Sequence, residues 1–123
     1  MKRYAAMMAF LLCLGGAGFV CEDAGLEPGP IHPAWVDSLI TKFSAEPVGN
    51  PPQSIWQYTY NDATVYYVPP QCCDQFSDLY DVTGKIIGHP DGGITGEGDG
   101  SCRDFFKTAT NGLVIWRDPR TRQ

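Results

Sequence analysis

Apolar residues recur at helical intervals after Pro33, and polar residues fill the positions between them. The apolar set is Trp35, Val36, Leu39, Ile40 and Phe43. This spacing is typical of an amphipathic helix, and Pro33 suits its first turn. Glu46-Pro47 ends the pattern. The sequence therefore predicts one helix of about eleven residues whose apolar stripe lies in the core.

Segments rich in aromatic and β-branched residues follow, separated by turn signals. Segments 55–60 and 64–68 flank Asn61-Asp62 and predict a β-hairpin. Segments 76–80, 85–87 and 113–116 predict three more strands, and residues 104–110 a short helical or irregular segment. The predicted fold class is α+β, with one N-terminal amphipathic helix packed on a small antiparallel β-meander and a disulfide-braced Gly/Asp-rich loop.

The start of the chain has the order of a secretory signal. Met1-Lys2-Arg3 precedes an uncharged apolar run to Leu14, and small residues follow as far as Gly18. We therefore expect a signal peptide at residues 1–18; a retained N-terminal anchor helix is the alternative. A flexible leader is expected at 19–34, a single α+β domain at 35–118 and a tail at 119–123.

The net charge of the chain limits the kinds of molecule that we expect it to bind. The whole chain carries nine basic and fourteen acidic residues, a net charge of −5. Loss of Lys2 and Arg3 with the signal would change this to −7. An acidic surface repels phosphates, so we expect no nucleic-acid partner. The charge favours cations or basic protein partners.

Cysteine usage predicts disulfides. Cys13 would leave with the signal, and Cys21, Cys72, Cys73 and Cys102 would remain. An even number of cysteines in a small exported domain is typical of a disulfide framework. A bridge between the neighbours Cys72 and Cys73 would be strained, so we expect each to pair with Cys21 or Cys102. The sequence leaves the connectivity open.

Cys21 has a second interpretation. A lipoprotein signal ends in a cysteine preceded by small residues and a leucine, whereas bulky Phe19 and Val20 precede Cys21. Lipidation would anchor the protein without a transmembrane helix.

The Gly/Asp-rich loop before Cys102 is the main candidate binding element. It has too few apolar residues to hold itself by burial, so we expect disulfides, a cation or both to order it. The predicted binding residues are Asp91, Thr95, Glu97 and Asp99, which alternate with glycines. The carboxylates of Asp91, Glu97 and Asp99 are also candidate calcium ligands. A solvated loop whose aspartates cap their own turns is the alternative.

Known metal and catalytic patterns are absent from this sequence. The helix–loop–helix calcium pattern fails when it is counted from Asp91. Its third position, which should be an Asp or Asn, is Gly93, and the position of its closing glutamate is Cys102. Zinc on Cys72, Cys73, His89 and Cys102 lacks the usual Cys-x2-Cys spacing. No nucleophile motif occurs. We expect a protein that is not an enzyme and has no cofactor, except for calcium as an alternative.

Three segments carry a resemblance to a known family. They are Val65-Tyr66-Tyr67-Val68, the run Gln71-Cys72-Cys73-Asp74 to Asp81, and the run Pro90-Asp91-Gly92-Gly93 to Phe105. Together they resemble a family of small exported bacterial proteins classed as a domain of unknown function, over residues 35–118.

The resemblance implies no activity, but it bears on the cysteines. Members of this family often look like lipoproteins, which favours an anchor on Cys21. They also carry a cysteine in the place of Gly88, so that two bridges could form within the domain. Here Cys21 would stand in as the fourth partner; if Cys21 is lipidated, one of the other three cysteines stays free.

These observations predict a secreted or periplasmic monomer that acts as a non-catalytic binding or structural module. Its rigid acidic loop would dock an unknown protein partner, with membrane attachment only if Cys21 is lipidated. The alternatives are a protease inhibitor that uses the disulfide-braced loop, a calcium-stabilised envelope lipoprotein, and a small hydrolase or redox protein with a free thiol.

Overall fold

A computed structural model describes residues 31–72 and 74–120. Two helices and five strands follow one another in this part of the chain. Their bounds are α1 Ala34–Ala45, β1 Ser54–Tyr60, β2 Ala63–Val68, β3 Asp78–Asp81, β4 Ile86–Gly88, α2 Phe105–Thr108 and β5 Thr110–Arg117.

All five strands form one antiparallel sheet with the order β4-β3-β2-β1-β5. β1 and β2 are the predicted hairpin, and Asn61 and Asp62 close it with φ angles of 49° and 60°. Asn and Asp tolerate this left-handed conformation better than most residues, which explains their place in a two-residue turn. β5 returns to the opposite edge of the sheet and pairs with β1 across two register shifts.

α1 covers one face of the sheet. Its buried residues Val36 and Phe43 pack with Ile55 of β1 and with Tyr66 and Val68 of β2. The stripe predicted from the sequence therefore lies in this part of the core.

α2 and the loop before it cover the opposite face. Phe105 of α2 has no exposed surface, and its ring lies 5.6 Å from that of Tyr67. Val65 and Leu79 complete this second cluster. Since alternate residues of β2 point to opposite faces, burial of Val65 through Val68 means that the sheet is covered on both sides.

The predicted fold class is wrong. The described residues form mainly a five-stranded antiparallel sheet in which helix is a minor part, and no disulfide joins two of them. The sheet is not a simple meander, because β5 pairs with β1 rather than with β4. The sequence pattern indicated one covering layer, whereas burial of β2 on both faces requires two.

Several predictions lie outside the described residues. These are the signal peptide at 1–18, most of the leader at 19–34, Cys21, Cys73 and the last three residues of the tail. Within the described ranges, no helix combines the length and the apolar character that crossing a membrane requires.

Candidate functional site

The acidic loop, defined here as residues 89–104, is ordered by backbone hydrogen bonds. Gly93 N–H donates to the Gln75 carbonyl at 2.9 Å, and Ser77 N–H donates to the Asp91 carbonyl at 3.0 Å. Within the loop, Gly98 N–H donates to the Gly92 carbonyl at 3.0 Å. These bonds join the loop to segment 75–77 and close it on itself, which fixes its shape without a core of its own.

Two glycines permit this close backbone packing. A Cβ on Gly98 would collide with the His89 carbonyl and lie 2.9 Å from Asp91 N. A Cβ on Gly92 would collide with the Gln75 carbonyl. Both glycines also have positive φ, 83° at Gly92 and 68° at Gly98. The glycine spacing seen in the sequence therefore reflects backbone approach and left-handed geometry.

Asp91 fastens the loop to the sheet. The Tyr67 hydroxyl donates to both Asp91 carboxylate oxygens, at 2.9 and 3.0 Å. Asp91 N–H in turn donates to the Ser77 hydroxyl at 3.1 Å. Burial, together with the negative charge of Asp91, raises the pKa of Tyr67 well above its usual range. Asp91, predicted as a binding residue, thus serves as an internal anchor.

His89 holds the start of the loop against β3. Its Nδ1 lies 2.6 Å from the Ser77 carbonyl and 3.1 Å from Asp78 Oδ1. A carbonyl only accepts hydrogen bonds, so Nδ1 carries a proton and donates. Tyr80 donates to the other oxygen of Asp78 at 3.2 Å. Burial and the Asp78 charge raise the pKa of Tyr80 to about 12.

Asp99 caps a turn in the second half of the loop. Its carboxylate accepts hydrogen bonds from both the backbone N–H and the hydroxyl of Ser101. The hydroxyl bond, then the backbone bond, lowers the pKa of Asp99. This matches the alternative in which the loop aspartates cap their own turns. The carboxylate nevertheless belongs to an exposed residue.

The tip of the loop faces solvent. Ile94 is 90 % exposed, and its neighbours Thr95 and Glu97 are exposed as well. Phe76, 47 % exposed, lies next to the tip, because a Cβ on Gly93 would come within 2.5 Å of its ring. An exposed isoleucine on a hydrogen-bonded loop presents a small apolar contact surface with a carboxylate next to it.

The cysteines do not brace the loop as the sequence predicted. Cys102 carries a free thiol, so the bridge expected at the far end of the loop is wrong. Cys72 is disulfide-bonded, but not to Cys102. The Cys102 thiol packs beside the Ile87 carbonyl at 3.9 Å. The physical reason is that the fold turns the Cys102 thiol toward Gly88 and Ile87 rather than toward another cysteine of the described residues.

Two tyrosines important for the loop were missed by sequence reasoning. Tyr67 anchors its first half, and the Tyr60 hydroxyl donates to Asp104 at 2.6 Å at its end. This hydrogen bond, followed by burial, raises the pKa of Tyr60 to about 12. Alternation along the hairpin could have placed both on the face opposite α1, but their carboxylate partners depend on the loop path.

The structure does not gather the three candidate calcium ligands. Asp91 is bonded to Tyr67, and Asp99 to Ser101. Across residues 31–72 and 74–120, no three His, Cys, Asp or Glu side chains converge as a metal site would need. The Asp78–His89 pair is the nearest approach to an acid–base arrangement, and its Nδ1–H is engaged with the Ser77 carbonyl.

Comparisons with known proteins identify a family for the chain but no individual relative. No curated protein and no solved structure matches the chain. One family profile matches residues 41–118, from within α1 to the residue after β5. This range covers more than half of the chain and includes the whole sheet and the acidic loop. The chain therefore belongs to the family described as a domain of unknown function, DUF6970.

Proposed function

We propose that this protein is an exported, non-catalytic binding module whose acidic loop docks another protein. The observation that carries the proposal is the contrast between the fixed base of the loop and its exposed tip. Its base is tied to the sheet through Asp91 and Tyr67, whereas Ile94 at its tip is 90 % exposed. A preordered loop loses little entropy on binding, which is the physical advantage of such an element.

Charge indicates the kind of partner. Between residues 72 and 104 there are seven acidic residues but only Lys85 and Arg103 as basic ones. Glu97 is exposed close to Ile94. We propose a protein partner with a small apolar recess that receives Ile94 and with lysine or arginine side chains at its rim. Such charge complementarity speeds association and favours the correct partner.

The non-catalytic part of the proposal rests on how the polar residues of the loop are used. The side chains of Asp91, His89 and Asp99 each form a hydrogen bond that holds the loop in place. Reactive groups would need access to a substrate, whereas these are committed to structure.

The protease-inhibitor alternative receives less support from the loop geometry. Inhibitors that mimic a substrate present an extended segment to the enzyme. Ile94 and Thr95 instead lie in a turn, where Gly96 N–H donates to the Gly93 carbonyl at 3.2 Å. Assays against a panel of secreted proteases would revive this alternative if one enzyme were inhibited.

Site-specific photocrosslinking tests the proposal. A photoreactive residue at position 94 should capture one protein in intact cells, and the captured surface should be basic when it is mapped by mass spectrometry. The matched control is position 82, since Val82 is 53 % exposed in the turn between β3 and β4. Glu97→Lys should abolish capture at position 94. Equal capture at both positions, or no capture at either, would contradict the proposal.

A further inference from the structure

A second site lies away from the acidic loop, at the end of the sheet where β1 begins and β2 and β5 end. It is a cavity of about 400 Å³ between segment 51–54, segment 69–71 and residues 117–118. This volume falls within the range of small-molecule binding sites, about 300–1,000 Å³. A site here would be independent of the function proposed for the loop.

Four prolines form much of the cavity wall. Pro51 and Pro52 come from the segment before β1, and Pro69 and Pro70 from the segment after β2. Their rings are rigid and apolar, and they offer no backbone N–H to compete for a ligand's acceptors. This wall suits an aliphatic or aromatic side chain.

Gln53 supplies an amide that the protein leaves unpartnered. The residue is 4 % exposed, and its side-chain Nε2 and Oε1 atoms are buried with no hydrogen-bond partner among the described residues. Its backbone is fixed, because Asp118 N–H donates to the Gln53 carbonyl at 2.8 Å. Since buried amides are nearly always paired, an orphan beside a cavity points to a ligand that carries a complementary donor and acceptor.

Arg117 supplies a cation at the same cavity. Its guanidinium carbon lies 5.9 Å from the centre of the Trp56 ring, and the residue is exposed. None of the ion pairs formed within residues 31–72 and 74–120 includes Arg117. The acid next to it, Asp118, is neutralised by Arg120 at 2.7 Å. Arg117, which lines the cavity, therefore carries a positive charge without a carboxylate partner in a chain whose net charge is −5.

We propose that this cavity binds the C-terminal residue of a peptide. The terminal carboxylate pairs with the Arg117 guanidinium, which can form two parallel hydrogen bonds to it. The amide that precedes the carboxylate pairs with the Gln53 side chain, and an apolar side chain packs on the prolines. Each of the three features of the cavity thus has a counterpart in one ligand.

N-acetyl-L-leucine is the simplest probe that carries all three groups. Titration of the ¹⁵N-labelled full chain should shift the indole signal of Trp56, because its Nε1–H donates at 3.0 Å to Ser54, a cavity residue. N-acetyl-L-leucinamide lacks the carboxylate, and 4-methylpentanoate lacks the amide. We expect each analogue to bind about tenfold more weakly than the probe, which corresponds to the loss of one charged or buried hydrogen-bonded contact.

Two variants assign the contacts. Arg117→Gln should weaken the probe about tenfold, while Lys107→Gln, the same charge change on α2, should leave its affinity unchanged. Gln53→Leu keeps the volume and removes the orphan amide, so it should fold and should bind the probe and 4-methylpentanoate equally. Absence of probe binding at millimolar concentration would overturn the proposal. Equal affinity for the probe and for N-acetyl-L-leucinamide would overturn it as well. So would an affinity for the probe that Arg117→Gln leaves unchanged.

Discussion

Cys102 lies against Gly88, with its Sγ only 2.8 Å from the position that a Cβ on Gly88 would occupy. In a disulfide, the Cβ of one cysteine lies about 3 Å from the Sγ of the other, as an S–S bond of about 2.04 Å requires. The free thiol of Cys102 therefore sits where a bridge to residue 88 would form.

Gly88→Cys should form a disulfide with Cys102. A bridge that closes a loop of 15 residues raises the free energy of unfolding by about 3 kcal/mol. Displacing the Ser101 hydroxyl from its hydrogen bond lowers it by about 1 kcal/mol, so we expect a net stabilisation. Thiol titration and chemical denaturation with and without reductant measure both effects. Gly88→Ser is the control and should be destabilised, because a Cβ there lies 2.5 Å from Ser101 Oγ. A persistent free thiol in Gly88→Cys would show that the backbone cannot accommodate the bridge.

Gly98→Ala should destabilise the acidic loop far more than Gly96→Ala does. Both glycines have positive φ, 76° at Gly96 and 68° at Gly98, so both substitutions carry the same conformational cost of about 1 kcal/mol. Only at Gly98 does a Cβ meet backbone, whereas at Gly96 nothing lies within 4 Å. Hydrogen exchange of the Gly98 and Asp99 amides, together with denaturation, measures the difference. Equal effects of the two variants would contradict the packing described here.

Tyr67→Phe should release the first half of the acidic loop. The variant removes the donor to both carboxylate oxygens of Asp91, and hydrogen bonds to charged groups contribute about 1.5–3 kcal/mol. Chemical denaturation should show a loss in this range, and the amides of residues 91–98 should exchange faster. Tyr58→Phe is the matched control, because the Tyr58 hydroxyl forms no hydrogen bond within the described residues. A similar loss in both variants would mean that removal of any tyrosine hydroxyl, rather than loss of the bond to Asp91, is responsible.

Stability should fall as the pH rises above 10. The pKa of Tyr60 is raised to about 12 by its hydrogen bond to Asp104 and by burial, and that of Tyr80 to about 12 by burial and Asp78. An unfolded tyrosine titrates near 10, so between about pH 10 and 12 the unfolded state binds fewer protons than the folded state. The stabilisation is complete below pH 10 and is lost over this interval.

The alkaline effect can be assigned to one residue. Denaturation curves at pH 8 and pH 11 give the change in unfolding free energy, and absorbance near 295 nm follows tyrosinate formation. Tyr60→Phe should be less stable than the wild type at pH 8 but should lose less on going to pH 11. If the loss were the same in both proteins, Tyr60 would not be one of the groups responsible.

Calcium should not stabilise the domain. Because Asp91 and Asp99 are each engaged in their own hydrogen bonds, a calcium ion would have to break contacts that hold the loop. A ligand that binds only the folded state raises the melting temperature. We therefore expect the same melting temperature in chelator and in millimolar calcium, with magnesium as the control. A rise specific to calcium would restore the calcium-binding hypothesis.

The sequence pattern predicted those helices and turns that a single short segment of the chain defines. The 3–4 spacing from Trp35 to Phe43 predicted α1, and Asn61-Asp62 between two aromatic runs predicted the hairpin. The glycine spacing marked the acidic loop as unusual in shape. These signals depend only on neighbouring residues, so they can be read from the chain.

Contacts between segments that are distant in the sequence were decided by the tertiary structure. The sequence could not place β5 beside β1 or bring Asp91 to Tyr67, since such pairings depend on how the chain returns after the loop. It favoured a disulfide at Cys102, because composition suggests a bridge without showing that the fold turns this thiol toward Gly88. It also gave no sign of the cavity that Gln53 and Arg117 share, since segment 51–54, segment 69–71 and residues 117–118 meet only in the folded sheet.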